Sequence, residues 1–378
     1  MKTIIIAGLL AITAVSCSKD FVDQKPPNSV LVDNYFTTEG NITLGLNGLY
    51  QSLRSGDAVG EGATTWTDDR SDDINTTDNQ SNNGEPFQFT AFSLTPSNTW
   101  LKNHYYALYL PIYRANELLS AIDTVGFANP ATKAQFIGEM KFVRAFMYFQ
   151  LLREFGDVPM AVAALNSPAE ANALTVRVPR KQVYDQIVKD LKEALEAPIP
   201  VAQTAATTGR ASLRAVNGLL GKVYLTMAAT GVDNSRANFE SARNYLLACM
   251  NQRTYGALSE IPYASVFDVT QKTTNRELIW QIPYIQGDQN YSSALARNNQ
   301  ARGETINSRF VSTGTGLLIS EDFRKEVETG DVRGAFSFKY AADPSVQQYF
   351  ITKFRDNSAT AGTLGRGGND WILMRYAD

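Results

Sequence analysis

One long apolar stretch, from Ala134 to Met160, constrains the fold of this chain more than any other. Its large apolar residues recur at helical spacing and cover a wide face: Phe136, Met140, Phe142, Val143, Phe146, Met147 and Phe149. A helix with so wide an apolar face needs neighbours on more than one side, and Gly156 and Pro159 are typical of its end. The remaining polar edge is narrow and consists of Lys141, Arg144, Arg153 and Glu154. The stretch therefore predicts the central helix of an α-helical core.

Helical periodicity recurs on both sides of this stretch. Apolar residues return every three or four positions in segments 35–53, 100–122, 179–195, 212–227 and 236–250. Pro111 lies inside the second segment and is expected to kink or restart that helix. Ser212 follows Pro179 at close to the roughly 34-residue period of tetratricopeptide helix pairs. The spacing alone favours a repeat of helical pairs only weakly, because the consensus residues of that repeat are mostly absent.

Two parts of the chain break the helical pattern. Segment 55–99 is a long polar loop with interspersed aromatic residues, and loops of this length inside compact domains are usually functional or disordered. Beyond Tyr255 the runs ELIWQIPY and YFITKF predict short strands between loops, with one helix from Ser320 to Glu328. The predicted fold is mostly α, with tetratricopeptide-like helical pairs and an irregular, loop-rich, partly β face.

Composition narrows the function classes. The 378 residues are 44% hydrophobic and 19% charged, which is typical of a globular chain. A formal net charge of -3 without any Lys/Arg run gives no support to a nucleic-acid partner. There is one histidine, His104, and no Cys/His cluster, so neither a metal site nor a cofactor is expected.

The N-terminus has the pattern of an exported lipoprotein. Lys2 precedes an apolar run from Ile4 to Val15 that is too short to span a bilayer, and small residues then lead to Cys17. We expect residues 1–16 to be a signal peptide and Cys17 to carry lipid; the alternative is an ordinary signal peptide that happens to contain a cysteine. With Cys17 acylated, Cys249 has no disulfide partner and is expected to be a buried apolar residue.

The order of several sequence runs resembles one family. YRANELLSAID, GEMKFVRAFMYFQLLREFGDVPM, VYDQIVKDLKEAL, GRASLRAVNGLLGKVYL, NRELIWQIPY and WILMRYAD are similar, in this order, to the SusD/RagB family. The resemblance implies a single domain over residues 17–378, with its helical core at about 35–251. It also implies an outer-membrane surface lipoprotein without enzymatic activity that binds glycan and delivers it to a SusC-like TonB-dependent transporter. In relatives the run like RYAD leads into a further helix, so we expect the chain to be truncated at Asp378.

An acidic cluster, TDDRSDDIN, supplies half of the predicted ligand site. Asp69, Asp72 and Asn75 in this cluster are candidates for hydrogen bonds to sugar hydroxyls. The carboxylates could also bind calcium or act as an acid/base pair, although no EF-hand-like order is present. The plainer alternative is a solvated acidic loop whose aspartates cap helices.

Aromatic residues supply the other half, since an aromatic plane can cover the C–H face of a pyranose ring. The candidates are Trp66, Trp100, Tyr284 and Tyr291, with Arg302 as a bidentate partner for an anionic sugar. The predicted site lies where the loop of Trp66 and the acidic cluster meets the loop of Tyr284, Tyr291 and Arg302. We expect Trp66→Ala or Tyr291→Ala to weaken binding with little loss of stability, and Phe146→Ala to do the reverse. Two rival classes stay open: a glycoside hydrolase, and a repeat scaffold that only docks proteins.

Overall fold

The computed structural model describes residues 35–61, 66–75, 81–165, 167–314, 318–362 and 365–378. The helices are α1 Glu39–Ser52, α2 Phe87–Thr90, α3 Thr99–Ile122, α4 Pro130–Phe155, α5 Pro168–Ala173, α6 Arg180–Glu196, α7 Leu213–Ala229, α8 Ser235–Asn251, α9 Leu295–Asn298, α10 Glu321–Glu326, α11 Val332–Ser337 and α12 Ala359–Gly362. The strands are β1 Ile74–Asn75, β2 Leu278–Ile282, β3 Leu318–Ile319, β4 Phe338–Tyr340, β5 Tyr349–Ile351 and β6 Trp371–Arg375. The predicted mostly α fold is confirmed. The expected signal peptide and Cys17 lie outside the described residues.

Helix α4 is the centre of the core, as the apolar stretch predicts. Its N-terminus is capped by the Asn129 side chain, which accepts from the Ala131 N–H, and Gly156 ends it in a positive-φ conformation. It packs between α3 and α6, while α1 packs on α3 and α7 packs on both α6 and α8. Its apolar residues, including Phe142 and Phe146, are buried in one continuous cluster with those of the neighbouring helices. No helix in the described part of the chain is long and apolar enough to cross a membrane.

Two local expectations about these helices are wrong. Pro111 does not restart its helix, because α3 runs unbroken from Thr99 to Ile122 with Pro111 buried on its core side. Arg144 does not belong to a polar edge, because it is only 4% exposed. Its guanidinium holds the Asp190 carboxylate of α6 through Nε at 2.8 Å and Nη2 at 2.7 Å. For Pro111, packing along the whole helix outweighs the one backbone hydrogen bond that proline removes. For Arg144, the ion pair with Asp190 offsets the cost of burying its charge.

The chain beyond α8 forms two small antiparallel sheets. One has four strands in the order β1-β3-β5-β4, and the other pairs β2 with β6. The runs ELIWQIPY and YFITKF thus contain strands, as expected, and α10 lies within the predicted helix at Ser320 to Glu328. The run WILMRY contains strand β6. In the first sheet Ile74 of the acidic segment pairs with Ile319, so that segment is tied to the C-terminal third of the chain.

Trp280 of β2 joins the sheet region to the helical core. Its ring makes edge contacts with Phe142 and Phe146, each at 4.7 Å between ring centroids. Its indole N–H donates to the Gly209 carbonyl at 2.9 Å, so the polar end of the buried ring is satisfied. The helical pairs and the loop-rich region therefore share one core.

Cys249 is buried on α8, as predicted. Only 4% of its surface is exposed, and burial raises the pKa of its thiol to about 11. A thiol of this kind is unreactive at neutral pH. Among the described residues no group of three or more His, Cys, Asp or Glu side chains could hold a metal ion.

Candidate functional site

Trp66 is not a sugar platform in this structure. Its ring is 6% exposed and stacks on the His104 ring at 4.0 Å, while the Phe89 ring meets it edge-on at 5.1 Å. The indole N–H donates to the Gly56 carbonyl at 3.0 Å. Trp100 is partly buried and packs against the same small cluster. The polar sequence around Trp66 concealed this burial, because the residues that cover it come from α2 and α3.

Tyr284 is also buried, whereas Tyr291 is exposed. The Tyr284 ring is 3% exposed, and its hydroxyl accepts from the Glu61 N–H at 3.0 Å and donates to the Arg54 carbonyl at 3.3 Å. Burial raises the pKa of Tyr284 to about 12, so this hydroxyl stays protonated at neutral pH. Tyr291 is 44% exposed and also lies against the Arg54 side chain. The guanidinium carbon of Arg54 lies 4.5 Å from the Tyr284 ring centroid and 4.9 Å from that of Tyr291.

The two predicted loops meet, but through other residues. Glu61, near the start of the polar loop, accepts from the Ser293 hydroxyl and from the Ala294 N–H at 2.8 Å. The acidic cluster itself turns to the C-terminal sheet, where the Ser320 N–H donates to the Asp73 carbonyl at 2.9 Å. Asp69 and Asp72 therefore do not meet the loop of Tyr291. Instead, Glu61 contacts that loop, and the acidic cluster contacts the C-terminal sheet.

The remaining predicted residues are dispersed. Arg302 is exposed, donates to the Thr313 carbonyl at 3.1 Å and lines neither of the larger grooves described below. Asp69 lies in a short 3-10 turn from Asp68 to Arg70, and Asp72 is exposed at the surface. Asn75 lies in β1, with its backbone opposite Leu318; its side chain is outside the described part of the structure.

The acidic cluster lines an open groove against the four-stranded sheet, here called the sheet groove. Its volume is about 550 Å³, and three aromatic residues contribute to its wall: Tyr263, Phe323 and Phe338. Asp68 and Asp73 contribute to its lining, whereas Asp69 and Asp72 do not. Sequence reasoning missed the three aromatic residues, which lie in short elements without strong periodicity. The available signal was Phe323, a lone aromatic within the charged run EDFRKE.

Charge is mixed inside the sheet groove. Burial, followed by the neighbouring Asp72 and Asp68 carboxylates, raises the pKa of Asp73 above its ordinary value. Burial lowers the pKa of Lys353, whose ammonium lies over the Phe354 ring at 5.1 Å from its centroid. The Tyr263 and Ser337 hydroxyls are 3.1 Å apart at the same wall. The groove thus presents aromatic surface beside donors and acceptors, a combination that suits a polyhydroxylated ligand.

Comparison with known proteins agrees with this architecture. A SusD-like protein of Formosa agariphila, P2, is 24% identical over 393 residues, covering 98% of this chain and 74% of that protein. A SusD superfamily structure from Parabacteroides distasonis superposes with a TM-score of 0.72 at 22% identity, covering 89% of this chain and 73% of the other. Surface glycan-binding protein A from Bacteroides thetaiotaomicron, in complex with laminarihexaose, gives 0.73 at 17% identity, with 90% and 77% covered.

A family model accounts for more than half of the sequence. Residues 20–225 match the SusD-like family described as "Starch-binding associating with outer membrane". The match spans the helical core from α1 to α7 and the polar loop within it. The chain belongs to this SusD-like family.

Proposed function

We propose that this protein captures an oligosaccharide at the cell surface without cleaving it. The sheet groove carries the proposal, because it combines aromatic walls with carboxylate, ammonium and hydroxyl groups within one open cavity of about 550 Å³. Family membership and the glycan-binding solved relative support the same reading. On the basis of the family, we also propose that the protein delivers the captured oligosaccharide to a SusC-like TonB-dependent transporter.

The sheet groove suits sugar for a physical reason. A pyranose ring has an apolar face of C–H groups and an edge of hydroxyls. Phe323, 38% exposed, offers an aromatic surface to the face. Asp68, Asp73 and Lys353 can bind the edge, which would otherwise be desolvated without partners. Asp69, Asp72 and Asn75 stay proposed contacts at the border of this groove, while Trp66 and Trp100 would act only by supporting its loop.

Removing the Phe323 ring is expected to weaken glycan binding by about 1–3 kcal/mol, by analogy with base–aromatic stacking. The measurement is isothermal titration of Phe323→Ala with the tightest neutral oligosaccharide found in a glycan-array survey. Phe310→Ala is the matched control, because Phe310 is 37% exposed and does not line the sheet groove. Equal affinity of Phe323→Ala and wild type would place the ligand elsewhere.

The two rival classes give different results with the same purified protein. A glycoside hydrolase would release shorter products from a labelled glycan, whereas a capture protein returns it intact. A scaffold that only docks proteins would show no affinity for any member of the array. Either result would overturn the proposed function.

Attachment to the membrane is proposed to be through lipid on Cys17, with the protein facing the cell exterior. Two or three acyl chains would hold the protein stably, whereas a single chain binds only marginally. Cys17→Ala is therefore expected to move the protein out of the outer-membrane fraction and to abolish labelling by a radioactive fatty acid. Cys249→Ala is the control, since Cys249 is buried. Unchanged fractionation of Cys17→Ala would refute the lipid anchor.

A further inference from the structure

The structure has a second open groove, here called the helix groove. It has a volume of about 540 Å³ and lies between the end of α1, segment 205–210 and the loop that follows β2. Arg54, Arg210 and Lys272 are the cations in its lining, and its exposed large hydrophobic residues are Ile285 and Tyr291. The sheet groove shares none of these residues, so the two grooves can be tested separately.

Two of the three cations in the helix groove are already neutralised. The Lys272 ammonium lies 2.8 Å from an Asp370 carboxylate oxygen. The Arg210 guanidinium donates to the buried Glu139 carboxylate at 2.8 and 3.0 Å. Any ligand would have to displace these partners before either cation became available. Neither cation is therefore a ready anion site.

Arg54 differs from both. Among the described residues no carboxylate forms an ion pair with its guanidinium, and its Nε is buried without a hydrogen-bond acceptor. The guanidinium carbon lies within 5 Å of the centroids of two tyrosine rings, at 4.5 Å from Tyr284 and 4.9 Å from Tyr291. A buried donor without an acceptor is costly, and a carboxylate that approached the Arg54 guanidinium from the groove would have no ion pair with a described residue to displace.

Two carboxylates of the neighbouring loops, Glu61 and Asp288, accept hydrogen bonds from other groups. Glu61 accepts from the Ala294 N–H at 2.8 Å and from the Ser293 hydroxyl. Asp288 accepts from the N–H groups of Asn290 at 2.7 Å and Tyr291 at 2.8 Å. Both side chains therefore hold backbone in place. Within the part of the chain that the structure describes, Arg54 therefore has no ion pair to give up, although its charge also acts on the Asp288 and Asp370 carboxyls.

We propose that the helix groove binds a carboxylated sugar, such as a uronic acid, with Arg54 as the partner of the carboxylate. A guanidinium fork matches a carboxylate bidentately, which an ammonium cannot do. Tyr291, 44% exposed, and Ile285, 58% exposed, supply apolar surface beside it for the C–H face of the ring. That neighbouring aromatic surface favours a sugar over an acidic peptide. This inference rests on the proposed glycan-binding function and adds a ligand class and a second site to it.

The test compares acidic oligosaccharides with the same molecules after their charge is removed. Oligomers of galacturonate, glucuronate, mannuronate and guluronate are titrated into the wild-type protein beside their methyl esters. We expect at least one acid to bind at least about tenfold more tightly than its ester, because hydrogen bonds to charged groups commonly exceed that factor. The preference should diminish as salt is raised. If every acid binds like its ester, the proposal is overturned.

Variants of Arg54 test whether the preference for the acid over its methyl ester arises in the helix groove. Arg54→Gln should reduce it to near unity, and Arg54→Lys should recover only part of it, because the charge returns without the fork. Thermal melts check that both variants fold. If either variant does not fold, the comparison of acid with ester in the wild-type protein still tests the proposal. An acidic tetrapeptide that binds Arg54 as tightly as the sugar acid would also overturn the proposal. Neutral-glycan affinity and its loss in Phe323→Ala report on the sheet groove, so failure of one site is distinguishable from failure of the other.

Discussion

Replacing Arg144 with methionine is expected to lower the free energy of unfolding by about 3–5 kcal/mol, because it leaves a buried carboxylate without its counter-charge. Asp190 is 1% exposed and receives two hydrogen bonds from Arg144, at 2.8 and 2.7 Å. The same guanidinium also donates to the Asn116 side chain at 2.8 Å and to the Val162 carbonyl at 2.9 Å. The change thus loosens the contacts among α3, α4 and α6 together. Urea denaturation followed by circular dichroism measures it.

A double variant separates charge burial from packing. Arg144→Met with Asp190→Leu removes both charges, and buried ion pairs can often be replaced by apolar residues at little net cost. We expect it to be more stable than Arg144→Met alone. If Arg144→Met lowers the free energy of unfolding by less than about 1 kcal/mol, the ion pair contributes little to the stability of the helical core.

Replacing Trp66 with alanine is the second large effect, with an expected loss of about 3–5 kcal/mol in unfolding free energy. The variant removes the stacking on His104 at 4.0 Å and the edge contact with Phe89, and it leaves the Gly56 carbonyl without its indole donor. A cavity lined by these groups is the main cost. This outcome reverses the sequence-based expectation that Trp66→Ala affects binding alone. Chemical denaturation of the purified variant measures the loss.

Tyr291→Ala is the comparison for Trp66→Ala. Tyr291 is 44% exposed, and its described ring contact is with the Arg54 guanidinium, so its loss is expected to cost less than about 1 kcal/mol of stability. A melting temperature for Trp66→Ala within a degree or two of the wild type would show that the ring contributes little to the fold.

The helices were predictable because their burial repeats along the sequence. Phe142 and Phe146 follow the helical period, so the face they form could be identified without knowing its neighbours. Arg144 lies within that face, yet its residue type alone suggested exposure. Its burial depends on Asp190, which lies on another helix and has no pattern that connects it to Arg144.

The candidate site was less predictable, for a related reason. Aromatic residues in loops carry no period, so neither the burial of Trp66 nor the exposure of Phe323 could be inferred from spacing. Arg54 drew no attention, because a single arginine after a helix is ordinarily solvated. Its significance comes from two tyrosines more than two hundred positions away, one of which hydrogen-bonds its carbonyl. Juxtapositions of that kind are set by tertiary packing.

The position of Trp280 between Phe142 and Phe146 has a consequence for how such a fold can vary. In an open solenoid each repeat contacts only its neighbours, so stability is nearly additive and repeats can be added or removed. Here a strand from outside the helical pairs inserts its side chain into their centre. A change in the helices that surround α4 would disturb that insertion, so the strand constrains how the central pairs can vary. Variation is then expected mainly in the loops, several of which line the two grooves.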